Sequence, residues 1–169
     1  FSLPVADARY YHAEHAQAQY SQRNEGDCNL EECRQTWTEV RGPVLLQGVT
    51  VDMNGISDTV MTLAAIAPFA SGTTTISNVA HIRHKETDRI SAIAAELRKL
   101  GVDVTEELDG LLIQPASKLH GASIDTYDDH RMAMSFAVTG LRSEGIVIND
   151  PGCTAKTFPD FFDRFGAIY

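Results

Sequence analysis

Three features are scarce in this chain, and each scarcity excludes something. There is no apolar run near the length of a membrane span, so no membrane partner is expected. Basic residues are outnumbered: 14 Lys and Arg against 23 Asp and Glu give a net charge of −9. That balance argues against nucleic acid as a bulk electrostatic partner, although a local basic pocket for a small anion remains compatible with it. Cysteine is rare: Cys28, Cys33 and Cys153 form an odd, sparse set that reads as reduced thiols in a cytoplasmic setting. His12, His15, Cys28 and Cys33 can be drawn as a zinc site. Their spacing is not a tight signature, so no metal is assigned. The first residue is Phe and the N-terminal stretch lacks a signal-peptide layout, as expected of a processed chain or a piece of a longer one.

What is present suits a single α/β domain of 169 residues, 43% of them apolar. Residues 1–35 are polar with scattered aromatics and are left unassigned. From Trp37 the patterning sharpens. "TWTEV" and "LLQGVTVDM" alternate as strands, with "RGP" as a turn between them. Residues 57–71 are expected to be a helix, with Ser57 or Asp58 as N-cap and Pro68 and Gly72 ending it. "TTTISNV" is a β-branched strand. The clearest helix is expected over 85–100, where Ile90, Ile93, Ala94, Leu97 and Leu100 fall on one face and Gly101 closes it. "VDVTEEL" and "GLLIQP" form a hairpin around Asp109–Gly110. Residues 122–127 and 145–150 read as strands, 130–143 and 157–166 as helices.

A faint repeat runs through this order. Met61 lies eleven residues before Gly72 and Met134 eleven before Gly145; each glycine ends a helix and opens a strand. After each strand comes a loop with a lysine, Lys85 or Lys156, and then a helix. An offset of 73 residues is too long for a solenoid. It implies a duplicated α/β unit with mixed strand directions.

The charged residues concentrate where helices are expected to start: Asp58; Lys85, Glu86 and Arg89 in "HKETDRIS"; His130 and Arg131; and Lys156. A helix N-terminus favours anions, so cations placed there gain nothing from the dipole and invite another reason. A bound anion is one, and arginine suits carboxylate and phosphate through its planar fork. Each residue also has a structural explanation. Glu86 and Asp88 are ordinary first-turn acids, Asp58 an N-cap worth about 1 kcal/mol, His130 a structural histidine, Lys156 a solvated loop residue. Together they define an anion-binding α/β enzyme or module.

Three stretches in order, "KETDR", "DDHRMAM" and "CTAKTFPDF", within a match from about Trp37 to Phe165, resemble the C-terminal half of the enolpyruvylshikimate-phosphate synthases (3-phosphoshikimate 1-carboxyvinyltransferases). The related enolpyruvyl transferases acting on UDP-N-acetylglucosamine are not expected to carry this motif set. The resemblance implies two similar domains, each of repeated βαββαβ units with mixed sheets packed around helices. Residues 36–169 would be most of one of them, and the partner N-terminal domain, with its Lys-Ser-x-x-x-Arg motif, is not visible in this chain.

It also implies a transferase of aromatic amino acid biosynthesis. Phosphoenolpyruvate and shikimate 3-phosphate would give the enolpyruvyl ether and phosphate, with no metal or organic cofactor. Asp58 would accept the proton of the attacking hydroxyl, and Glu86 would protonate the methylene carbon. Lys85 would sit between the substrates; Arg89, Arg131 and Lys156 would bind phosphoenolpyruvate; His130 would line the pocket. His81 stands where many members carry Asn against the shikimate part. One carboxylate must then be ionised and the other able to hold a proton, which requires environments that push them apart. Half an active site implies negligible turnover by the chain alone. The alternative is a non-catalytic anion-binding or interaction module that kept the fold.

Overall fold

The computed structural model describes residues 45–167. The expected strand at "TWTEV", the unassigned segment 1–35 and the His12, His15, Cys28, Cys33 set lie outside these residues. Ten elements follow in order: β1 (Thr50–Asp52), α1 (Val60–Ile66), β2 (Thr74–Ser77), α2 (Arg89–Lys99), β3 (Val104–Glu106), β4 (Leu111–Ile113), β5 (Ala122–Ile124), α3 (His130–Thr139), β6 (Ile146–Ile148) and α4 (Phe161–Gly166).

The strands make two sheets. One has the order β1-β2-β4-β3, with β1 parallel to β2 and β4 antiparallel to both β2 and β3. The other pairs β5 with β6 in parallel, Ala122 opposite Ile146. β1-α1-β2 and β5-α3-β6 are therefore the same unit twice, as the 73-residue offset implies. The two copies meet through their helices. Thr62 and Ser135 share a hydroxyl contact of 3.2 Å, and Thr139 Oγ1 donates to the Ala65 carbonyl at 3.0 Å.

The α2 stripe is the strongest sequence signal and the deepest part of the core: Ile90, Ile93, Ala94, Leu97 and Leu100 are all fully buried. It packs in one cluster with Met61, Ile76, Ile113, Met132 and Phe136, drawn from both units. Gly101, at φ +82°, supplies the left-handed residue that ends α2, where a side chain is strained. Gly110 lets the β3–β4 hairpin close on β2: a Cβ there would lie 2.0 Å from the Ile76 carbonyl oxygen.

Three expectations on helices are corrected. Residues 57–71 are not one helix: a kinked 3-10 segment (Asn54–Thr59) precedes α1, and a 3-10 turn (Ala67–Phe69) holding Pro68 follows it. Neither Ser57 nor Asp58 caps α1 through its side chain; Thr59 occupies that position without a side-chain cap bond. And α2 begins at Arg89, capped by Asp88, whose carboxylate accepts from the Ser91 amide at 3.1 Å. Lys85 and Glu86 thus lie in the bend before the helix, not on its face.

Candidate active site

The site is organised by one guanidinium. Arg89, the first residue of α2, is 1% exposed and faces three carboxylates. Its Nε donates to Asp129 Oδ2 at 2.7 Å, Nη1 to Asp58 Oδ1 at 3.2 Å and Nη2 to Glu86 Oε2 at 2.6 Å. Burying a cation is tolerable only when such partners surround it. The 3-10 segment before α1 supplies Asp58, the bend before α2 supplies Glu86, and the turn before α3 supplies Asp129.

Asp58 is shared. Arg131 Nη2 donates to its Oδ2 at 2.9 Å, and Arg131 Nη1 to its backbone carbonyl at 3.3 Å. Arg131 itself is fixed from below: its amide donates to Asp129 Oδ1 at 2.8 Å, so Asp129 both caps α3 and holds Arg89. Asp129 is fully buried. Sequence reasoning passed over it, although an Asp directly before an apolar-periodic run is a recognisable cap signal.

His81 is brought to this group as well, its Nε2 2.9 Å from the Ser57 hydroxyl beside Asp58. His130 is 6% exposed, and its Nδ1 has no hydrogen-bond partner among the described residues, the nearest acid being Asp129 Oδ1 at 4.0 Å. A buried polar atom of this kind calls for a partner. Lys85 is exposed. Lys156 is exposed too and reaches only the Asp128 carbonyl, at 3.5 Å. It ends a 3-10 segment (Pro151–Lys156) and does not start α4, contrary to expectation. Hence Asp58, Glu86, Arg89, Asp129 and Arg131 form one bonded cluster, and His81 is tied to Ser57, the residue before Asp58. The geometry offers three carboxylates on one buried cation: Asp129 is fully buried, while Asp58 and Glu86 keep access to solvent. A cavity of about 580 Å³ lined by Phe69, Lys118, His120, Arg142 and Glu144 contains none of these residues. Among the described residues no group of three or more His, Cys, Asp or Glu could hold a metal ion.

The fold is an α/β domain with a duplicated β-α-β unit, in which acids and arginines gather where α1, α2 and α3 begin. Comparison with known proteins gives the family. The sequence model described as EPSP synthase (3-phosphoshikimate 1-carboxyvinyltransferase) matches residues 12–165, and the chain belongs to that family. The match corrects the expected start near Trp37: it reaches back to residue 12, into the segment left unassigned from sequence.

The chain is 66% identical over 129 residues to the 3-phosphoshikimate 1-carboxyvinyltransferase of Nostoc punctiforme, covering 76% of this chain and 30% of that protein. It is 53% identical over 123 residues to that of Vibrio campbellii, covering 73% and 29%. Among solved structures it resembles EPSP synthase from Acinetobacter baumannii, with a TM-score of 0.65 and 33% identity over 70% of this chain and 29% of that one. The chain therefore spans about 30% of the length of the curated relatives it matches. Among the described residues no helix is long and apolar enough to cross a membrane.

Proposed function

We propose that this chain supplies the C-terminal share of an active site that transfers the enolpyruvyl group of phosphoenolpyruvate to shikimate 3-phosphate and releases phosphate. One observation carries the reading: Asp58 and Glu86, the two candidate acid–base groups, are held on the same buried Arg89, with Arg131 bound to the same Asp58. In this reading Asp58 takes the proton of the attacking hydroxyl and Glu86 delivers one to the methylene carbon, with Lys85 between the substrates. The ketal phosphate so formed then eliminates: Glu86 takes a proton back from the new methyl group, the carbon–oxygen bond to phosphate breaks, and the departing phosphate takes the proton held by Asp58. Arg131 and Lys156 offset the phosphate and carboxylate charge; Arg89, expected from sequence to bind phosphoenolpyruvate, is buried with its three nitrogens on Asp129, Asp58 and Glu86, and acts through those carboxylates. His81 faces the shikimate part, and His130 lines the pocket. Positioning and charge compensation provide the catalysis, so no cofactor is needed.

Residues 36–169 form most of one domain in this reading, and the remaining contacts come from an N-terminal domain. The buried free thiol of Cys153 is in keeping with a cytoplasmic setting.

The test mixes the chain with the N-terminal part of the Nostoc punctiforme relative and follows phosphate release. Activity is expected from the mixture and not from either part. Glu86→Gln is expected to lower the rate about 10²- to 10⁴-fold. A folded mixture with no activity counts against the reading. Phosphoenolpyruvate-induced NMR shifts confined to residues far from Asp58, Glu86 and Arg131 would replace it with a non-catalytic binding module.

A further inference from the structure

α2 carries two buried polar side chains, Arg89 and Glu96, seven residues and thus two turns apart on the same face. Both point their polar ends at the segment between β5 and α3. Arg89 takes Asp129 at its far end. Glu96, fully buried, takes the near end: Asp125 N donates to its Oε2 at 3.1 Å and the Tyr127 hydroxyl to its Oε1 at 2.6 Å. Lys99 Nζ, 2.8 Å from the same Oε2, also reaches Asp125 Oδ2 at 2.7 Å. Asn149 Nδ2 holds the other oxygen of Asp125 at 2.7 Å.

Between the two anchors the backbone is strained. Tyr127 and Asp128 both sit at φ +55°, a region L residues avoid unless the surroundings impose it. The next three residues are Asp129, His130 and Arg131, and the Asp128 carbonyl is the group Lys156 approaches.

We propose that Glu96 and Tyr127 are positioning residues: their bond, buried at the Glu96 end and open at the tyrosine, straps the left-handed turn Tyr127–Asp128 along α2 and so aims Arg131 and His130 at the anion. This assignment rests on the functional reading above. The hydroxyl is a committed donor; burial, and then the Glu96 carboxylate, raise the Tyr127 pKa to about 12. A buried carboxylate three residues short of the end of its helix has no need of this partner for its own charge, since Lys99 already neutralises it. The tyrosine bond serves the turn.

The experiment compares the full chain with Tyr127→Phe, with Glu96→Gln and with Ile113→Val, a core change on β4, in the sheet that does not contain β5. Each is titrated with phosphoenolpyruvate by NMR, and amide exchange is read at Asp129 and Arg131. Tyr127→Phe is expected to stay folded, weaken binding about tenfold and speed exchange at both amides. Glu96→Gln, which keeps an oxygen for the tyrosine, is expected to lose less. Ile113→Val is expected to bind as the parent does. Parent-like binding by Tyr127→Phe, or equal loss in Ile113→Val, overturns the proposal. If the parent itself shows no shift at Arg131, the functional reading fails, and exchange alone then decides the strap. Unchanged exchange at Asp129 and Arg131 in Tyr127→Phe overturns it; faster exchange upholds it.

Discussion

Arg89 is the residue on which the candidate site turns. Its three nitrogens face three carboxylates from three segments, a demand that only a planar fork with several donors can meet. Arg89→Lys keeps the charge but cannot reach all three, so Asp58 and Glu86 are expected to lose their fixed separation. Asp129 is its deepest partner. Asp129→Ala leaves a buried guanidinium short of one anion and removes the α3 cap. We expect unfolding in urea to show a loss of about 3–5 kcal/mol. Asp129→Asn, which retains the cap acceptor, is expected to lose less. Neither residue could be assigned this role from sequence. Arg89 and Asp129 are 40 positions apart, and no local periodicity records a bond of that range.

At the scale of elements, α2 shows what sequence can and cannot say. Its apolar stripe is legible because burial imposes a 3.6-residue period on the sequence. Its start is less so: "KETDR" holds several plausible first-turn residues, and only the Asp88–Ser91 bond settles which one caps. That start is clamped further by Arg83, whose Nη1 reaches Asp88 Oδ2 at 2.8 Å and Glu106 Oε1 at 2.9 Å. The Ser91 hydroxyl bond, then Arg83, outweighs burial and holds Glu106 below its ordinary 4.5. For Asp88 burial pushes upward, yet the Ser91 amide and Arg83 hold it below 3.8.

Both groups bind their protons more weakly when folded, so their contribution is present above the ordinary values and lost as pH falls through the lowered ones. Urea midpoints are expected to drop between about pH 5 and pH 2, and Ser91→Ala to flatten that drop. The end of α2 gives a further expectation. Gly101→Ala forces a Cβ into a left-handed residue and against the His120 ring at 2.9 Å. Thermal unfolding is expected to show a cost of about 1 kcal/mol or more.

For the molecule as a whole, the two β-α-β copies share a core and do not each keep their own. Phe136 of α3 packs in the same cluster as Ile93 of α2 and Met61 of α1. Phe136→Ala is expected to cost about 3–5 kcal/mol, in a single transition that carries both sheets with it. Separate transitions for the two sheets would refute a shared core.

The duplication was readable from two methionine–glycine spacings, because strand and helix lengths repeat when a unit does. From the residues alone the site was readable as a set of charges at helix starts, and the role of each came only with the family resemblance. The turn of Tyr127 and Asp128, the strap from Glu96 and the hub at Arg89 depend on contacts between distant parts of the chain. Composition says nothing about those.

The pairing of Asp58 with Arg131 gains a meaning from that duplication. The two residues are 73 positions apart, the same interval that relates Thr62 to its contact Ser135. They therefore occupy corresponding places at the heads of α1 and α3. Two identical units meeting this way would set acid against acid, or base against base. Like hydroxyls can bond at such places, but an ion pair exists there only once the copies have become unlike, so symmetry had to be given up before this corner of the fold could carry opposite charges.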